Sequence, residues 1–277
     1  MEMYHLNYSL PKVTLLQQSG LGISELAART CYNSFENSEH DFIKSAMITM
    51  DLDAINSIEN SNLLNNLAWV HHHHSIMEHS TLSYLIEGTS RGVLQEHARH
   101  RIQAISVKST RYTMSSIINA FISSLYSKNS YDFFKEKILN MNIFVITDLE
   151  YLDIEIRTIF DKLYLQSTKD NNFIVNSIAK SSQEYLEKYK NNPNELYFAL
   201  ENGKKKRNIG DGFKHIVTDN WKVDMVVTFN IRSLKNYFDL RDSGAAWFQI
   251  RWLAQEMKKA TPKKYLKLID KKYREED

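Results

Sequence analysis

Arg99-His100-Arg101, then seven residues, then Ser109-Thr110-Arg111, form the densest chemical cluster of the chain. With Lys108 they gather four basic side chains, a histidine and several hydroxyls. Such a cluster is costly to bury unless it holds something anionic or polar. Arginine suits a phosphate because its planar fork makes two parallel charge-assisted hydrogen bonds. Ser109 and nearby backbone N–H groups would complete the cradle. Gln95 and Arg99 are four residues apart, as are Glu96 and His100, so each pair shares a helix face. Arg99 taken alone reads as a basic helix end that complements its own dipole. The whole cluster reads as an anion site.

A second block, Phe229 to Asp242, places Arg232 and Asn236 on one helix face and Leu234, Tyr237 and Phe238 on another, with Arg241 closing the helix. Asn230 sits at a strand-to-helix junction. Asn and Arg lining a cleft there can read the edge of a planar ligand, although Asn230 by itself reads better as a helix cap. A third block is His71-His72-His73-His74-Ser75-Ile76-Met77-Glu78-His79. It lacks the His-Glu-x-x-His spacing of a catalytic zinc site, and consecutive histidines diverge on a helix, so no metal is assigned. Ser75 to Glu78 fits a capping box. The single cysteine, Cys31, has no histidine or basic partner placed by sequence to activate it and reads as a small buried thiol.

Regular elements must carry these blocks. The pattern predicts an edge strand within 3–10, a short strand at 13–16, and a helix from Ile23 to Tyr32. It predicts a short helix at 41–50 and another over 63–70 capped by Asn60 or Ser61. Thr81 to Glu87 alternates as a strand. Thr89 or Ser90 should cap a helix ending near Arg99 to Arg101, and 106–113 returns to a strand. From Met114 to about Asn208, Lys, Asn, Tyr and Ile with helical spacing in 154–163 and 174–186 indicate a helical insertion. Lys204 to Arg207, followed by Gly210 and Gly212, reads as a solvated loop. Val223 to Phe229 is a buried strand, 231–240 and 245–260 are helices, and Pro262 should occupy the first position of a last helix. Strands mixed with many helices indicate an α+β fold.

A chain of 277 residues with 43% hydrophobic content can bury a substantial core in one domain with an insertion. A net charge of +2 gives no global field toward nucleic acid or membrane, so an anion site must be local. One cysteine excludes a disulfide framework and fits a reducing, cytoplasmic setting. The N-terminus lacks the pattern of a signal peptide, and no apolar run approaches the ~20 residues of a membrane span. A phosphate-tracking nucleic-acid module built on Arg99 to Arg111 and Lys204 to Arg207 is disfavoured by the near-neutral charge. A metal hydrolase built on His71 to His79 lacks a ligand set.

Three separated blocks together resemble the flavin-dependent thymidylate synthase family: Ser75 to His79, Arg99-His100-Arg101 through Arg111, and Asn230-Ile231-Arg232-Ser233 with Asn236 through Arg241. Ala28 to Tyr32 is similar to that family's N-terminal helix. The resemblance covers about 20–113 and 212–260. It implies a central, mostly antiparallel sheet flanked by helices, and reductive methylation of dUMP to dTMP. Methylenetetrahydrofolate would donate the carbon, FAD would carry the hydride and NADPH would supply it. It implies FAD contacts at Ser75, Arg99, His100, Arg101, Asn230, Arg232 and Asn236. It implies dUMP contacts at Glu96, Arg99, Ser109, Thr110, Arg111, Lys214 and Arg241, with Arg241 as the activator of the uracil N3. It further implies a homotetramer with sites shared between subunits, and no cysteine nucleophile. Lys214 stands where Arg is common, Glu96 where some members have Gln, Val107 where some have an acid and Ala245 where some have His.

Overall fold

The computed structural model describes residues 6–45, 52–169 and 212–274. In chain order the principal elements are β1 (Lys12–Gln18), α1 (Gly22–Tyr32), α2 (Asn62–Trp69), β2 (Thr81–Ser90), α3 (Arg91–His97), β3 (Gln103–Val107), α4 (Thr110–Ser124), α5 (Ser130–Asn140), α6 (Leu149–Lys169), β4 (Lys222–Asn230), α7 (Ile231–Arg241), α8 (Phe248–Ala260) and α9 (Lys263–Ile269). The chain divides into two compact units. One comprises 10–89, 93–107 and 224–277; the other comprises 1–9, 90–92 and 108–223.

The first of these units is built on a sheet of order β1-β2-β4-β3. β1 pairs antiparallel with β2, and β3 with β4. Across β2 and β4, Ser83 meets Thr228 and the Gly88 amide meets the Asp224 carboxylate, the opposing chain order that antiparallel neighbours require. Alternation in β2 buries Leu82, Tyr84 and Ile86 on one face. That face packs with Val227 and Phe229 of β4, Leu234 and Tyr237 of α7, and Ile250, Leu253 and Met257 of α8 in one apolar core. A register shift between Leu15 and Gln17 interrupts β1, leaving Leu16 exposed. A side chain on Gly22, at the start of α1, would lie 2.1 Å from the Ile55 carbonyl oxygen, so only glycine admits this approach.

The other unit packs α4, α5 and α6 around Phe121, Phe134, Ile156 and Leu163, with Trp221 in the same core. Bridges between Tyr8 and Ile146 and between Phe144 and Trp221 tie its separated segments. Among the described residues no helix is long and apolar enough to cross a membrane.

The α+β class matches the sequence pattern, the antiparallel sheet matches what the resemblance implied, and several boundaries move. The strand expected at 106–113 ends at Val107. α4 begins at Thr110 because Ser109 caps it, its Oγ accepting from the Arg111 amide at 3.4 Å. Met114, Ile117, Ile118 and Phe121 then fall on one buried helical face. Thr89 and Ser90 are the last residues of β2, and Ser90 directly precedes α3. α3 stops at His97, short of the basic triplet. Three-residue bonds from the Arg99 amide to the Glu96 carbonyl and from the His100 amide to the His97 carbonyl tighten its end. The Gln103 side chain donates to the same His97 carbonyl at 2.9 Å. Of the edge strand expected within 3–10, residues 3–5 lie outside the described residues, and among the described ones Tyr8 makes an isolated bridge.

Ser61, of the two candidate caps, is the one that caps α2, accepting from the Leu64 amide. Pro262 precedes α9 as its cap residue, one position earlier than expected, and α8 starts at Phe248 and not at Ala245. The helix expected at 41–50 is Asp41–Lys44, and 46–51 lie outside the described residues. So do the helical pattern at 174–186 and the basic run Lys204 to Arg207. Ser75 to Glu78 form part of a 3-10 turn, His74–His79, without a side-chain cap bond; the Glu78 carboxylate pairs with Arg232 instead. Cys31 is exposed, not buried, because the buried face of α1 is set by Ser24, Glu25, Ala28 and Arg29.

Candidate active site

β4 runs into α7 without a loop. The Asn230 side chain accepts a hydrogen bond from the Ser233 amide at 2.7 Å and so starts the helix. Leu234, Tyr237 and Phe238 anchor α7 in the core. Its other face is left to carry Arg232, Ser233, Lys235, Asn236, Asp239 and Leu240. Together with His74 and the Arg99-His100-Arg101-Ile102 segment after α3, these residues and Arg241 line a cleft of about 920 Å³.

Tyr237 fixes the cleft wall from behind. Its hydroxyl lies 3.0 Å from His97 Nδ1, and its ring packs edge-on against the rings of His97 and His100. Burial first, and then the proximity of the His100 ring and the Arg241 cation, push the His97 imidazole down to about 3, which keeps it neutral. Burial drives the Tyr237 phenol well above its ordinary range. His100, half-buried at the cleft surface, is also shifted down, first by burial and then by Arg241. Arg241 Nε donates to His100 Nε2 at 2.9 Å. Arginine is always a donor, so His100 accepts there and carries its proton on Nδ1. Arg241 Nη1 donates to the Glu96 carboxylate at 2.8 Å.

Five cations line the cleft against the single carboxylate of Asp239. Arg232 is paired with Glu78, Lys235 with Asp239 and Arg241 with Glu96. Among the described residues Arg99 and Arg101 carry no ion pair. The cleft therefore offers two unneutralised forks, an arrangement suited to a phosphorylated ligand.

Of the residues marked in the sequence, Arg99, His100, Arg101, Arg232, Asn236 and Arg241 come together in the cleft. Glu96 stands behind it on Arg241. Ser75 and Asn230 do not line it. Ser109, Thr110, Arg111 and Lys214 belong to the other unit, where α4 packs against the 3-10 turn Lys214–Ile216. Sequence reasoning missed His74, Ile102, Ser233, Lys235, Asp239 and Leu240 as cleft residues. The spacing of Arg232, Lys235, Asn236 and Asp239 along one helical stripe is the signal that could have found most of them.

A model of the family described as thymidylate synthase complementing protein matches residues 14–265. A flavin-dependent thymidylate synthase of Wolinella succinogenes is 30% identical over 253 residues, covering 91% of this chain and 94% of that protein. One from Campylobacter jejuni is 27% identical, covering 92% and 93%. The crystal structure of thymidylate synthase X from Helicobacter pylori with FAD and dUMP matches with a TM-score of 0.59 at 22% identity, over 95% of this chain and 98% of that one. The fold is thus α+β with a basic cleft, and its relatives are enzymes. The chain belongs to the flavin-dependent thymidylate synthase family.

Proposed function

We propose that this enzyme converts dUMP to dTMP by reductive methylation. Methylenetetrahydrofolate donates the carbon, FAD is the resident cofactor and NADPH is the reductant. The observation that carries the reading is the cleft between α7 and the segment after α3, where two unpaired arginines sit beside an arginine held by two partners. Its volume lies at the upper end of the range for small-molecule and cofactor sites, and its lining of basic and amide side chains suits a dinucleotide. In this reading Arg99, His100, Arg101, Arg232 and Asn236 hold FAD, with Ser75 and Asn230 at its margin. Arg99, Ser109, Thr110, Arg111, Lys214 and Arg241 hold dUMP, with Glu96 behind Arg241. A homotetramer completes each site from several subunits, and the chain acts as one catalytic domain with 114–208 as its insertion. The single cysteine suits a reducing cytoplasm.

When bound, reduced FAD supplies the hydride. The protein's task is to make uracil C5 nucleophilic without covalent attack on the ring. Arg241 placed at the O2/N3 edge stabilises the charge that develops there; one preorganised donor in such a site contributes on the order of 3 kcal/mol. Arg99 and the Ser109 to Arg111 segment bind phosphate and orient the nucleotide. His100, neutral and donating through Nδ1, offers a hydrogen bond without adding a competing cation.

The visible absorption spectrum of the purified protein tests this reading. Flavin bands should bleach with NADPH under anaerobic conditions and return on adding methylenetetrahydrofolate and dUMP, with dTMP formed. A protein that stays colourless after reconstitution with FAD overturns it.

A further inference from the structure

We propose that Glu96 is a positioning residue for Arg241, deepening the reading of the cleft as a dUMP site, on which the proposal rests. A carboxylate among residues meant to receive a nucleotide phosphate is electrostatically out of place. The geometry assigns it another task. Glu96 is the penultimate residue of α3, and its carboxylate accepts from Arg241 Nη1 at 2.8 Å. His100 takes Nε at 2.9 Å. Two anchors on different nitrogens fix the plane of the guanidinium, where one would leave it free to rotate. Both side chains are only partly exposed, 20% for Arg241 and 33% for Glu96, so the pair is shielded from water on one side. Among the described residues, Nη2 carries no hydrogen bond and is left for the ligand. The carboxylate is spent on Arg241 and is not presented to the phosphate. A glutamine at this position could accept the same hydrogen bond through its amide oxygen, so the function required of position 96 is an acceptor and not a charge.

The test compares Glu96→Gln and Glu96→Ala as flavin-loaded full-length enzyme, with flavin content and Tm checked to match wild type. Glu96→Gln should keep kcat within about threefold. Glu96→Ala should lose between roughly tenfold and a hundredfold in kcat, the scale of a misplaced catalytic group, while KM for dUMP changes less than about threefold. In an Arg241→Ala background, with turnover followed by single-turnover flavin reoxidation, Glu96→Ala should cause no further loss. Unchanged kcat in Glu96→Ala, equal losses in the two variants, or losses that multiply with Arg241→Ala would each overturn the assignment. A wild-type protein without dUMP-dependent turnover sinks the parent reading as well. An active wild type indifferent to Glu96→Ala sinks this one alone.

Discussion

Tyr237 is where core and cleft meet. Its ring faces His100 at the cleft and its hydroxyl serves His97, which is fully buried. Tyr237→Phe keeps the ring packing and removes the one hydrogen bond that His97 Nδ1 makes among the described residues. An orphaned buried polar atom costs about 1–3 kcal/mol, so the variant should lose that much in urea denaturation with an unchanged m-value. Stability equal to wild type would mean that the pair contributes nothing. At this scale the sequence was informative about side-chain type and poor about partners. Arg241 could be marked from its place at a helix end, but Glu96 and His100 meet it across 145 and 141 positions of sequence, and no local pattern encodes that. Cys31 misled for the complementary reason: a small apolar residue carries no sign of which face of a short helix it occupies.

Elements were more legible, because period and caps are local. α7 was readable almost to the residue: Asn230 supplies the cap, and Leu234, Tyr237 and Phe238 supply the buried stripe. Its cap can be tested by Asn230→Ala, which should lower stability by about 1 kcal/mol, while Asn230→Ser, able to accept the same bond, should recover most of it. If Asn230→Ala left Tm untouched, the capping bond would be energetically silent. Gly22→Ala is expected to be harsher. Its new methyl meets the Ile55 carbonyl, and backbone must shift to admit it, a strain of roughly 1–3 kcal/mol, read as a fall in Tm with intact secondary structure by circular dichroism. Where the sequence failed, a short-range side-chain bond to the backbone outweighed the apparent period. Ser109 turned an apparent strand into the start of α4, and Gln103 helped to end α3 before the basic triplet.

For the molecule as a whole, the buried His97 couples folding to pH. Its folded value of about 3 lies below the ordinary 6.5, so the unfolded chain binds the extra proton. Stability from this group is fully present above pH 6.5 and is lost as pH falls from there toward 3. His100 is lowered from the same 6.5 and adds to this limb, whereas Asp41, Asp153 and Asp270 are lowered from 3.8, so their loss begins at more acid pH. Urea unfolding from pH 7.5 to 4.5 should show a decline that flattens in His97→Gln. An equally steep limb in the variant would assign it to other groups. The overall class was legible from alternating and helical periods together. The joining of 90–92 to 108–223 in one compact unit was not, because these segments are separate in the chain and no local pattern links them.

The loop-free passage from β4 into α7 has a consequence for how such a chain can change over time. One residue added or lost between Phe229 and Arg232 would turn the whole helix by roughly 100° about its axis. Tyr237 would swing out of the core and Arg232, Asn236 and Arg241 would leave the cleft together. No hinge stands at that junction to absorb the error, so this part of the gene can drift by exchange of letters but not by change of length.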